Sequence, residues 1–497
     1  MASTTRFALQ HRIRPHMSWL RRPTAASPTG ILWLLMLACA LAPAVGAAAP
    51  LTIIVNSPAD IPDVNPGNSI CETAAGNGTC TLRGAVQEAN GHSGPDTIQL
   101  QAGVTYLLTR AGTDDTALSG DLDIRDSVTI VGAGAGTTVV DGNSAVVSDG
   151  VFQVSRCILG ITSPSGCFLG DVVASISGIT IQHGRRAVGQ GGGVANAGNL
   201  VIDDCIITEN TTDGGTNGGG GIYNQGTVEL NHSVVSNNTA NGIYNVGTLT
   251  VIASTISGNS QPATGGGLTQ QGDAATIIDS TISGNSAGTG GGIFVGYAPL
   301  IMINSTISDN TTAGSGGGLH VVGAGSVAKL FNVTIANNRA NLDATDGGDG
   351  GGVYNGAAAT AVRFANSIIG NNTRLIASKN GPPVVDADDC AGLFTSLGNN
   401  LLTSVDMSHC AINGAYVLGA ANIDPLADNG GPTRTQALLP GSPAIDGGNL
   451  GGCADDLGTV LGTDQRGVAR PQGAACDIGA FEQLADELFA DNFEPQS

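Results

Sequence analysis

The sequence predicts an all-β fold, a parallel β-helical solenoid with a cap at each end. Three observations carry that reading: a short phrase recurs at a regular spacing, its apolar residues alternate with period two, and the composition suits short strands joined by tight turns. "STISGNS" stands at Ser254–Ser260 and again at Ser280–Ser286, and "STISDNT" follows at Ser305–Thr311. Seven aligned copies end at Asn210, Asn238, Asn259, Asn285, Asn310, Asn338 and Asn372, with gaps of 28, 21, 26, 25, 28 and 34 residues. A repeat of that period marks stacked structural units, each too small to bury its apolar face alone.

Within each copy a branched aliphatic stands three residues before the Asn: Ile207, Val235, Ile256, Ile282, Ile307, Ile335 and Ile369. Two residues earlier stands a smaller one: Cys205, Ser233, Ser254, Ser280, Ser305, Val333 and Ser367. Residues two apart in a strand face the same side, so both columns point inward. A Gly cluster and a second short strand precede the phrase, as in "GGGVANAGNLVI" and "GGGIYNQGTVEL". Like positions then stack about 4.8 Å apart from coil to coil. The recurrent Ile forms an internal stack, and the recurrent Asn a ladder at a bend, bonded to the backbone and to its neighbours. Asn372, near the end of the array, is expected to matter less than Asn285 in its middle.

The composition agrees. The chain has 497 residues with 76 Gly, 4% aromatic and 12% charged residues, too few large side chains for a compact domain of that length. The 41% apolar share, regularly placed, excludes disorder. Residues 1–49 read as a signal peptide: Arg6, Arg12, Arg14, Arg21 and Arg22, then an apolar stretch from Ile31 to Ala42, then the small-residue run "APAVGAAAP". Without it, 14 basic residues face 40 acidic ones, a balance that disfavours nucleic acid and anionic membranes as partners. No later stretch is apolar and long enough to span a membrane. Four cysteine pairs lie close in sequence, Cys71/Cys80, Cys157/Cys167, Cys390/Cys410 and Cys453/Cys476, and read as local disulfides of an oxidising compartment. Cys205 is left over in the small inward column, as a buried structural thiol.

These residues resemble a family. The "GGGIxN…STISxN" cycle, over roughly residues 96–415, is similar to right-handed parallel β-helix repeats of the pectate-lyase-like superfamily, especially those of polymorphic outer-membrane proteins. "CTLRGAVQEAN" (Cys80–Asn90) resembles the CSLREA signature, departing from it at Thr81 and Gly84. "DPLADNGGPTRTQALLPGSPAIDGGN" with "TDQRGVARPQGAACDIGAFE" resembles the choice-of-anchor Q type of exported bacterial β-helix proteins. The resemblance implies a fold and export to the outside or outer surface of a bacterial cell, and no reaction. The expected organisation is a signal peptide (1–49), an N-terminal cap (50–95) whose short helix covers the first coil, the β-helix (96–416), a C-terminal cap over the last coils (417–482) and an acidic tail (483–497).

Candidate chemistry is sparse. Asp343, Asp346 and Asp349 share the long Gly-rich loop "NLDATDGGDGGG", where three carboxylates offer a Ca²⁺ site. Their spacing matches neither an EF-hand nor the nonapeptide Ca²⁺ repeat, so weak structural binding or a solvated loop is expected. No other cofactor is expected. Asp203-Asp204 and His183-Gly184 superficially resemble polygalacturonase motifs in reversed order, and a solvated turn is expected. Asp121, Asp123 and Asp126 read as solvated, and Arg185-Arg186 as a turn. The chain has two lysines, Lys329 and Lys379. If the Asp loop served a lyase, Arg339 or Arg363 would be the nearest base in sequence. The preferred function is a monomeric, non-catalytic surface or extracellular adhesive protein that binds glycans or cell-surface partners. The alternative is a carbohydrate-active enzyme, a Ca²⁺-dependent polysaccharide lyase or a glycoside hydrolase, on the same fold.

Overall fold

The computed structural model describes residues 49–484, apart from 156–171, 214, 216–217, 345–346, 358–360, 380 and 456. The chain winds as a right-handed parallel β-helix. One coil runs through Ile243–Asn245, Thr248–Ile252, Thr255–Ser257 and Ser260–Thr264, and the next through Leu268–Gln270, Ala275–Ile278, Thr281–Ser283 and Ser286–Thr289. Each strand pairs in parallel with its equivalent one coil on, Ile256 with Ile282 and Ile282 with Ile307. Among the described residues, one long sheet of 22 strands, one of 12 and one of 6 form the walls.

The repeated phrase reads off as geometry. Ile207, Val235, Ile256, Ile282, Ile307, Ile335 and Ile369 are buried in one continuous apolar core. The small column lies beside them: Ser254 Oγ accepts from the Ser233 amide at 3.0 Å, and Ser280 Oγ from the Ser254 amide at 3.1 Å. The residue before each ladder Asn is left-handed, with φ from 55° at Asn237 to 66° at Gly258. Gly, Asn and Asp adopt that region at least cost, which accounts for the variable letter in "STISxN". The Gly cluster that opens each coil is needed for close approach: a Cβ on Gly220 would lie 1.9 Å from the Thr239 carbonyl oxygen.

Each ladder Asn bonds in both directions. Asn285 Oδ1 accepts from the Asn259 amide and Nδ2, both at 3.0 Å. Its own Nδ2 donates to the Ile256 carbonyl at 3.0 Å and to Asn310 Oδ1 at 2.9 Å. The ladder does not stop at Asn372, whose amide and Nδ2 both donate to Asp389 Oδ1, at 3.1 and 3.0 Å. A second internal ladder, not anticipated from the sequence, runs through the last residues of the strands Val194–Asn196, Ile222–Asn224 and Ile243–Asn245, from Asn196 to Asn224 (2.8 Å) and on to Asn245 (2.7 Å).

At the N-terminal end a single helix, α1 (Leu82–Gly91), places Leu82, Ala85, Val86 and Ala89 in the same core as Ile98 and Ile124. Thr81 caps it by accepting from the Gly84 amide at 3.0 Å. Among the described residues no helix is long and apolar enough to cross a membrane. The C-terminal segment does more than cover the last coils, because it runs back along the outside of the 12-stranded sheet. Thr281 Oγ1 donates to the Arg434 carbonyl at 2.6 Å, Thr306 Oγ1 to Gln465 Oε1 at 2.7 Å, and the Ala480 amide donates to Thr334 Oγ1 at 3.0 Å. Leu438, Ile478 and Phe481 pack on Ile368 and Leu401 as a separate small core. Cys71–Cys80, Cys390–Cys410 and Cys453–Cys476 are disulfide-bonded, and Cys157 and Cys167 lie outside the described residues. Cys205 is a free, buried thiol, and burial pushes its pKa up to about 12.

Candidate functional site

The Asp343/Asp346/Asp349 loop does not keep its residues to itself. Asp346 lies outside the described residues, and Asp349 turns to a different set. It pairs with Arg374, which also bonds Asp386 at 3.2 Å and stands 3.9 Å from Asp388. Asp388 is 1% exposed on its side chain; its Oδ2 accepts from the Gly350 amide at 2.7 Å, and its Oδ1 faces His409 Nε2 at 3.4 Å. The other ring nitrogen of His409 is 3.1 Å from Asp406. Ligand atoms of Asp349, Asp388 and His409 lie within 4.8 Å of one another. Burial raises the Asp388 carboxyl above its ordinary range, against the pull of Arg374. The arginine at Asp349 is therefore Arg374; Arg339 instead donates to Thr373 Oγ1 at 3.2 Å.

A second acidic cluster, read from the sequence as solvated, is buried. Asp121 and Asp123 are each 1% exposed. Arg186 pairs with Asp121, bonds Asp149 at 3.2 Å and donates to Gln153 Oε1 at 2.9 Å. Gln153 Nε2 in turn donates to Asp123 Oδ1 at 3.1 Å. Parallel stacking makes Asp123 the rung partner of Gln153, while α1 seals one side by sending Arg83 to the Asp121 carbonyl at 3.1 Å. Sequence distance hid this, since 65 residues separate Arg186 from Asp121. Arg185 and Arg186 form a short strand paired with Thr211 and Thr212, not the turn expected from the sequence, and Arg185 makes an exposed pair with Asp213 at 2.7 Å. His183 lies between Asp141 (2.8 Å) and Glu209 (2.9 Å), while Asp203 has only a loose contact with His232 at 3.3 Å.

Burial pushes the Asp123 carboxyl up to about 7. A raised carboxyl stabilises the fold fully below the unfolded value near 4 and loses that contribution as pH rises through the folded value. Stability should therefore fall between about pH 4 and pH 7, by on the order of 2–4 kcal/mol from this group. Asp123→Asn should remove that step from a series of urea melts. An unchanged pH profile in the variant would rule out Asp123 as its source.

A cleft with two cations in its lining lies elsewhere. Lys329 and Arg363 are rung partners on the outer face of the long sheet, so their side chains leave adjacent coils. The returning C-terminal segment walls this face with Asn449, Ala454, Asp455 and Gly458, leaving a cleft of about 560 Å³ floored by Phe331, Ala365 and Asn366. Leu397 (49% exposed) lines it, and Leu457 (86% exposed) is beside Gly458 in the wall loop. Asn366 Nδ2 also donates to the Asp477 carbonyl at 3.3 Å, which ties the wall to the sheet. The cleft thus combines two adjacent cations with the carboxylate of Asp455 and apolar lips, a lining of mixed charge on a rigid sheet. The sequence marked Lys329 as one of two lysines and Arg363 only as a base near the Asp loop; coil stacking makes them rung partners, and the wall depends on the folding back of the C-terminal segment.

No protein-family model matches the chain, and no curated protein matches it in sequence. Solved structures with a similar chain path include pectate lyase Pel9A, with a TM-score of 0.44 at 14% identity over 88% of this chain and 97% of that one. They also include the A-module of Azotobacter vinelandii mannuronan C-5 epimerase AlgE6, with a TM-score of 0.39 at 17% identity over 68% of this chain and 92% of that one.

Proposed function

We propose that the protein is an exported, extracellular or cell-surface β-helix protein that binds acidic glycans in the Lys329–Arg363 cleft without cleaving them. The observation that carries this reading is the cation pair itself. In a chain with a net charge of −21, two basic side chains on adjacent rungs line one cleft. A uronate chain presents carboxylates along an extended backbone, and the sheet presents two cations one rung apart. The disulfides suit an oxidising compartment outside the cytosol. The CSLREA-like segment, the outer-membrane-protein-like repeats and the choice-of-anchor Q-like segment belong to the same reading, as parts of an exported surface protein. The protein would act as a monomer, since the cleft is complete within one chain.

The test is titration of the mature protein with uronate oligosaccharides and, separately, with neutral oligosaccharides of equal length. Uronate should bind, binding should weaken with salt, and Lys329→Gln/Arg363→Gln should weaken it about tenfold or more. Binding unchanged by the double substitution would remove the cleft from the proposal. Release of unsaturated sugar in the presence of Ca²⁺, followed by ultraviolet absorbance, would establish the lyase alternative instead.

A further inference from the structure

We infer that Asp349, Asp388 and His409 form a binding site for a divalent transition metal of the zinc class, with Asp406 as the positioning residue behind the histidine. Three observations support it. The first is ligand type: an imidazole with two carboxylates suits zinc, nickel or cobalt, whereas calcium takes oxygen ligands alone. The second is spacing. His409 Nε2 and Asp388 Oδ1 stand 3.4 Å apart, long for a hydrogen bond between them. That separation matches the edge of a tetrahedron whose centre lies about 2.0–2.1 Å from each corner. The third is the outer shell. His409 Nδ1 is held by Asp406 at 3.1 Å, which turns Nε2 toward the cluster, the carboxylate–histidine arrangement that orients metal-binding imidazoles. Asp388 is likewise fixed through one oxygen, by the Gly350 amide at 2.7 Å, and presents the other.

The charge balance agrees. Asp349, Asp386 and Asp388 share one guanidinium, that of Arg374, and Asp406 pairs with His409, so a divalent ion would offset part of the remaining negative charge. Arg374 keeps Asp386 as a partner when Asp349 turns to the metal. The Cys390–Cys410 disulfide anchors the arrangement, because Asp388 and His409 lie just before its two halves.

The test uses the folded mature protein, stripped with chelator and titrated with Co²⁺ and with Zn²⁺. One equivalent of Co²⁺ should bind, with the visible absorption of a four-coordinate ion, and Zn²⁺ should displace it. His409→Gln should abolish the absorption, with the folding of the metal-free variant checked by its thermal melt. Asp406→Asn, which keeps all three ligands, should weaken affinity about 10–100-fold. Asp343→Asn should change nothing. No stoichiometric binding, or binding indifferent to both His409→Gln and Asp349→Asn, would overturn the assignment. The second variant keeps the test decisive if His409→Gln fails to fold.

Discussion

Replacing Arg186 by methionine is expected to destabilise the protein by about 3–5 kcal/mol, the cost of leaving buried carboxylates without their cation. Arg186 is 7% exposed and is the cation paired to both Asp121 and Asp149. Methionine fills much of the volume of the arginine stem, so packing loss contributes little and the effect reports the charge. Arg185→Met, one residue away, removes only an exposed pair with Asp213 and should cost under about 1 kcal/mol. Equilibrium urea unfolding of both variants checks the contrast. A loss below about 1 kcal/mol at Arg186 would mean that water reaches the cluster and that its carboxylates are not desolvated.

Asn285→Ala should cost about 3 kcal/mol, because it orphans several buried groups at once. The Asn259 amide and Nδ2 lose their acceptor, and the Ile256 carbonyl and Asn310 Oδ1 lose a donor. Each buried polar group left without a partner costs about 1–3 kcal/mol, partly relieved where the chain relaxes or water enters. The milder outcome expected from the sequence for Asn372→Ala no longer follows. Asn372 Oδ1 accepts from the Asn338 amide and Nδ2, both at 3.0 Å, and its Nδ2 reaches the Ile335 carbonyl at 2.9 Å and Asp389. The two substitutions should therefore cost similar amounts in thermal and urea melts. A small loss at Asn285 would show that the ladder is dispensable to its coil.

The coils were legible in the sequence because a solenoid is built from local repetition. The period, the alternation of Ser254 with Ile256 and the Asn at each bend are set within one coil and copied into the next, so pattern alone predicts the stacking. The left-handed residue before each ladder Asn is local as well, and apart from Glu209 it appears in the sequence as the Gly, Asp or Asn of the repeated phrase. Proximity along the chain also sufficed for Cys71–Cys80, Cys390–Cys410 and Cys453–Cys476. Tertiary structure alone decided the clusters in which charge is concentrated. Stacking brought Arg186 onto Asp121 from 65 residues away, and α1 closed over them, so residues that look solvated in sequence are desolvated in space. It likewise moved Asp349 from its own loop to Arg374, Asp388 and His409. The Lys329–Arg363 cleft exists because the C-terminal segment turns back along the solenoid and hydrogen-bonds to Thr281, Thr306 and Thr334. Those threonines carry the same letter as solvent-facing ones elsewhere in the repeat, and only the segment that covers them makes the difference.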